Sequence, residues 1–144
     1  MQQRGYEIID HTADVGLRIW APDFSSLLEE AAVATASLVS KSPVNPKIET
    51  TVNIEGENKE ELFLHWLREV LFLLESGMLI ASIHLDTMSP STGADRYAVR
   101  AWIKGEKYDP ARHDICMEIK AITRHGFRLR GRESYWEAQV LFDI

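Results

Sequence analysis

The chain has 144 residues, 45% apolar and 26% charged, with a formal net charge of −6. That is the size and balance of one soluble domain, so residues 1–144 read as a single unit with enough core to fold unstapled. The charge excludes a broad electrostatic grip on DNA or RNA, the lone Cys116 excludes an intramolecular disulfide, and no apolar stretch approaches the roughly 20 residues that span a bilayer.

The start, "MQQRGYEIID", lacks the apolar segment of a secretory signal. With the single cysteine, it leads us to expect a cytoplasmic protein that works neither at a membrane nor on DNA. Next comes "DHTADVGLRIW", in which Val15, Leu17 and Ile19 alternate as on a strand. Asp10, His11, Thr12 and Asp14 crowd the turn before it. Either aspartate can close an Asx turn, the ordinary role of an aspartate before a strand.

The first helix follows "APDF". Asp23 is the expected N-cap. Phe24, Leu27, Leu28, Ala31, Ala32, Thr35 and Leu38 recur at spacings of three and four, giving one apolar stripe. "SKSPVNPK" then reads as a loop and "KIETTVNIEG" as an alternating strand. The second helix opens at Asn58, with Glu61 placed to reach back as in a capping box. Its stripe runs Leu62, Phe63, Trp66, Leu67, Val70, Leu71 and Leu74, and Gly77 is the expected C′ residue. Trp66 lies on that stripe and belongs to the core.

Beyond it, "LIASIHLDT", "RYAVRAWIK", "DICMEIKAI", "FRLR" and "YWEAQVLF" read as strands, and "MSPSTGAD" as a loop. Two helices among about seven strands, with the later strands consecutive, make the fold class α+β: helices packed on a mixed, largely antiparallel sheet. "YDPARH" reads as a turn around Asp109 and His113, and His125 before Gly126 as another. Glu118 and Lys120 share a strand face, which predicts an ion pair rather than catalysis. Arg128, Arg130 and Arg132 alternate, as on a solvated strand face; a phosphate or partner contact is the minority reading.

The end of the chain carries chemistry. Trp136, Ala138, Val140, Phe142 and Ile144 fall on one strand face, and Tyr135, Glu137, Gln139, Leu141 and Asp143 on the other. Parity therefore predicts a buried Ile144, contributing about 1.5–3 kcal/mol, with its main-chain carboxylate fixed beside Asp143. Two anions held together repel unless both are hydrated or a cation lies between them. Hydrated charges are the plain reading. The sharper one is an all-oxygen site for Ca²⁺, Mg²⁺ or Mn²⁺, with a third ligand from Asp10 or Asp14. A zinc site of His11, His113 and His125 matches no ligand spacing.

In "DHTADVGLRIW", "EELFLHWLREVLFLLE", "GEKYDPARH", "EIKAITRHGFRLR" and the terminal "YWEAQVLFDI", the chain resembles the archeases over essentially its whole length. The order and spacing of these segments are more specific than any one of them. It departs at Lys107, where the family often has proline, and at Arg124, where it often has an aromatic residue. The resemblance implies an accessory protein, not itself an enzyme, that activates an RtcB-type RNA-splicing ligase. It would promote the guanylylation and repeated turnover of that ligase, with RNA contact indirect or weak. The resemblance also implies a divalent cation, calcium before magnesium or manganese, held by Asp14, Asp143 and the carboxylate of Ile144. His11, Lys120 and His125 are expected on the partner-facing rim.

Two other classes compete. A small metal-dependent hydrolase would use the same carboxylates, but no nucleophile–base pair and no phosphate-cradling glycine motif is visible. An RNA-binding or chaperone module would rest on the three alternating arginines.

Overall fold

A computed structural model describes residues 3–10, 14–90 and 96–144, apart from the side chains of Asp10 and residues 87–90. Among these, the order is β1 (Gly5–Asp10), β2 (Asp14–Ala21), α1 (Phe24–Val39), β3 (Ile48–Gly56), α2 (Lys59–Glu75), β4 (Met78–Pro90), β5 (Tyr97–Lys107), β6 (Ala121–Gly131) and β7 (Trp136–Asp143). The strands form two sheets, β1-β2-β7-β6 and β3-β5-β4. Every pairing is antiparallel. The α+β class holds, with the seven strands divided between two sheets rather than joined in one.

Both helices form where their stripes demand. Asp23 Oδ1 accepts from the Ser26 amide at 2.7 Å, and all seven stripe residues of α1 are buried. Asn58 Oδ1 accepts from the Glu61 amide at 2.8 Å. The return half of the capping box is not made: the Glu61 carboxylate instead takes two bonds from Arg124, at 2.9 and 3.0 Å. Gly77 sits at C′ with φ +97°, where a side chain is strained.

The helices pack on each other and against both sheets. Trp66 is fully buried, and its indole N–H donates to the Leu28 carbonyl at 2.7 Å, so the large ring enters the core without an orphaned donor. Lys59, at the start of α2, adds a second tie. Its Nζ lies 4.8 Å from the Trp136 ring of one sheet, 5.5 Å from Tyr97 of the other and 5.7 Å from Phe24 of α1. A cation over three ring faces holds four elements at one point.

Three local expectations are corrected. "MSPSTGAD" is not a loop from its start, because β4 runs on to Pro90, opposite Tyr97; β1 is also a strand that the sequence does not announce, because Ile8 and Ile9 put apolar side chains on opposite faces and hide the alternation. "DICMEIKAI" is mostly not a strand, because β6 begins only at Ala121. Its ladder partner β7 ends at Asp143, directly opposite Ala121, so the residues before it have no strand to pair with on that side. Finally, Ile144 is 44% exposed and lies beyond the last strand residue. Phe142, fully buried, is the true anchor of the chain end.

Candidate metal and partner site

β2 and β7 are the two inner strands of the four-stranded sheet, and their register decides the site. Val15 faces Phe142 and Leu17 faces Val140, and these four side chains are buried in the core. Alternation turns their neighbours outward. Asp14 faces Asp143 directly across the ladder, at the end of the sheet. Side chains so placed stand roughly 4.5–5.5 Å apart at Cβ, where like charges disfavour each other. Asp143 is exposed and Asp14 partly so. The donors on hand are all oxygens of the type that hard divalent cations take. The exposed Ile144 follows immediately.

The two expected metal-site side chains, Asp14 and Asp143, are thus brought together by pairing. Among the described residues, no group of three or more His, Cys, Asp or Glu side chains is placed to hold a metal. Asp10's side chain and all of His11 lie outside the described residues.

Of the expected rim residues, Lys120 is beside this pair. Its amide donates to the Asp143 carbonyl at 2.8 Å and its side chain is exposed. Glu118 and Lys120 lie outside any strand, so the predicted strand-face ion pair has no ladder to form on. His125 is exposed on an irregular stretch of β6, between the pairs Thr123–Leu141 and Arg128–Gln139. That bulge turns Phe127 onto Phe63, with ring centroids 5.7 Å apart, and Gly126 adopts φ +75° close under Leu141. His125 is therefore presented to solvent four residues along β6 from Ala121, the partner of Asp143, and does not join the pair.

The zinc alternative loses its centre. His113 is buried, and its Nδ1 accepts from the Asp109 amide at 2.9 Å. Nε2 must then carry the proton, which it donates to Glu106 at 3.1 Å. Both ring nitrogens are committed. The "DP" turn forms as expected, with Asp109 Oδ1 accepting from the Ala111 amide at 2.9 Å.

Sequence reasoning missed Glu106. It is 3% exposed and gathers the Asn45 amide at 2.6 Å, His113, the Arg112 guanidinium, and Lys47 at 3.7 Å. The Asn45 amide foremost, then His113 and Arg112, hold its carboxyl down at about 2, against the cost of burial. This network fastens the 108–113 turn and the loop after α1 to the end of β5.

The alternating Arg128, Arg130 and Arg132 are exposed, and among the described residues none of them makes a salt bridge. Arg128 and Arg130 flank Gln139 and Glu137 on the outer face, with Arg18 one strand further on. Arg18 is bound by Glu137 at 2.6 Å and Glu7 at 3.2 Å, and the Arg18 guanidinium, helped by the Tyr135 hydroxyl, keeps the Glu137 carboxyl low against the cost of its partial burial. The ion pairs on this face are Arg18's, and the exposed Arg128 and Arg130 fit a solvated strand face.

No helix among the described residues is long and apolar enough to cross a membrane. Comparison with known proteins agrees with the sequence resemblance. An archease from Methanopyrus kandleri is 35% identical over 141 residues, covering 96% of this chain and 99% of that one. The Pyrococcus furiosus archease is 32% identical, covering 98% and 99%. The solution structure of Methanobacterium thermoautotrophicum protein 1598 superposes with a TM-score of 0.81 at 25% identity, covering 97% of this chain and 99% of that one. The crystal structure of a Thermotoga maritima archease shares the fold, with a TM-score of 0.60 at 20% identity over 96% of each chain. The profile of the Archease protein family matches residues 6–144, and the chain belongs to that family.

Proposed function

We propose that this protein activates an RtcB-type RNA ligase through a divalent cation held by Asp14, Asp143 and the carboxylate of Ile144. The observation that carries the reading is the direct pairing of Asp14 with Asp143 on neighbouring inner strands. Two carboxylates set opposite each other cost stability, and a fold has reason to keep them when a cation offsets the repulsion. Calcium fits such a site first, with magnesium or manganese as alternatives. When bound, the cation would supply charge neutralisation for phosphate groups during guanylyl transfer on the ligase.

The chain's own part is placement. β2 and β7 fix the two aspartates from inside a sheet, and Phe142 holds the strand end beneath them. Lys120 and His125 lie on the rim that would meet the ligase, and His11 is proposed there with them. The protein contributes no nucleophile of its own. It works as an accessory factor in tRNA splicing and RNA repair, in the cytoplasm, with RNA contacted weakly or through the ligase.

The test is ligation of cyclic-phosphate RNA in excess over the ligase, with wild type and Asp143→Ala. The substitution removes one of two opposed charges at an exposed position, so the melting temperature is expected to hold or rise. Stimulation of guanylylation and of turnover is expected to fall to the level of the ligase alone. Full stimulation by Asp143→Ala sinks the reading. Turnover of GTP or RNA by the purified protein alone would favour the hydrolase class instead.

A further inference from the structure

We propose that residues 114–120 are a latent edge strand that takes up an extended segment of the protein partner by β-pairing. This rests on the ligase reading for the identity of that partner. The segment "DICMEIK" carries a strand pattern, yet it belongs to no ladder. Its burial alternates as in a strand: Met117 and Ile119 are partly buried against the core, while Cys116, Glu118 and Lys120 are exposed.

The main chain repeats the same parity. The Asp114 amide donates to Ser42 Oγ at 2.8 Å, Cys116 to the Val39 carbonyl at 2.7 Å and Lys120 to the Asp143 carbonyl at 2.8 Å. All three are even-numbered, and all three point into the protein. In an extended chain, successive amides point to opposite edges. The amides of Ile115, Met117 and Ile119 therefore point away, and among the described residues they make no hydrogen bond; of the inward-parity amides, Glu118 alone makes none. They continue the free edge of β6, the last strand of its sheet.

An apolar groove runs beside this edge. It has a volume of about 470 Å³ and lies between Met117 and Ile119 on one side and Leu71 and Leu74 of α2 on the other, with Tyr108 lining it as well. Ile115 is 46% exposed and Phe72 on α2 is 62% exposed. Unpaired donors in strand spacing beside an apolar slot suit an extended peptide. Its main chain would pair with the odd-numbered residues, and an apolar side chain would fill the groove. A folded apolar surface would leave those donors orphaned. Because Lys120 is bonded to Asp143, a strand seated here would bring the partner next to the carboxylate pair.

The test reads amide exchange residue by residue, by NMR, on the full chain alone and with an RtcB-type ligase. Exchange at Ile115, Met117 and Ile119 is expected to slow by at least about tenfold in the complex. Ile115→Pro removes one pairing amide that makes no bond within the protein. It is expected to weaken the complex at least about tenfold, while Ile115→Ala, which keeps the amide, weakens it less. Circular dichroism confirms that both variants fold. A complex that forms with unchanged exchange at these three amides overturns the inference and leaves the ligase reading standing. Protection that appears in the protein alone as its concentration rises assigns the edge to a second copy and also overturns it. Absence of any complex overturns both.

Discussion

Glu106 shows how a residue's role can escape pattern reading. On β5 the odd positions Val99, Ala101, Ile103 and Gly105 face the core, so parity sends Glu106 outward. It is buried because the Asn45 loop and the 108–113 turn close over it, which no local rule in "GEKYDPARH" reveals. The consequence is a pH dependence with a definite sign. The folded-state carboxyl titrates at about 2, below the ordinary value of 4.5, so between these the unfolded chain binds more protons than the folded one. The stabilisation is complete above about pH 4.5 and is lost as pH falls through that window towards about 2. In urea unfolding between pH 5 and 2.5, the wild-type midpoint should fall steeply below pH 4.5. Glu106→Gln should start lower and show a shallower fall. Parallel profiles would mean the network contributes nothing through its charge.

At the scale of elements, the helices were readable and the strand partners were not. A helix is stabilised by residues three and four apart, so its stripe and caps are written locally. Asp23, Asn58 and Gly77 all act where the sequence places them. A strand needs a neighbour that local sequence does not name. Residues 114–119 have strand composition without a partner, and β1 becomes a strand because β2 supplies one. Parity alone turns Asp143 outward beside the buried Phe142, and the ladder sets it opposite Asp14. Parity erred on Ile144, since it holds only as far as the strand. The α2 cap gives a clean check. Asn58→Ala should cost about 1 kcal/mol, with a range of about 0.5–2. If Glu61 serves Arg124 rather than the cap, Glu61→Ala and Arg124→Ala should be strongly non-additive with each other. Glu61→Ala and Asn58→Ala should add. Coupling of Glu61 to Asn58 instead of Arg124 in chemical denaturation would restore the capping box.

For the whole molecule, the arrangement separates what holds the chain end from what the chain end presents. The row Val15–Phe142 faces inward and the next row, Asp14–Asp143, faces outward, one residue apart on the same two strands. Phe142 is fully buried and Ile144 is 44% exposed, so the packed part of the strand ends before Ile144. Phe142→Ala should cost about 3–5 kcal/mol by the cavity it leaves. That lowers the melting temperature by roughly 10–20 °C and disturbs the site only through the fold. Residues added after Ile144 meet no packed surface, so the melting temperature should stay within about 1 °C of wild type, as for changes at exposed positions. They do, however, move the main-chain carboxylate away from Asp143. If that group is the third ligand, the extended protein should remain fully folded yet fail to stimulate the ligase and lose calcium binding measured by calorimetry. An extension that leaves both intact would show that the two aspartates suffice. One that unfolds the protein would mean the end of the chain is structural after all.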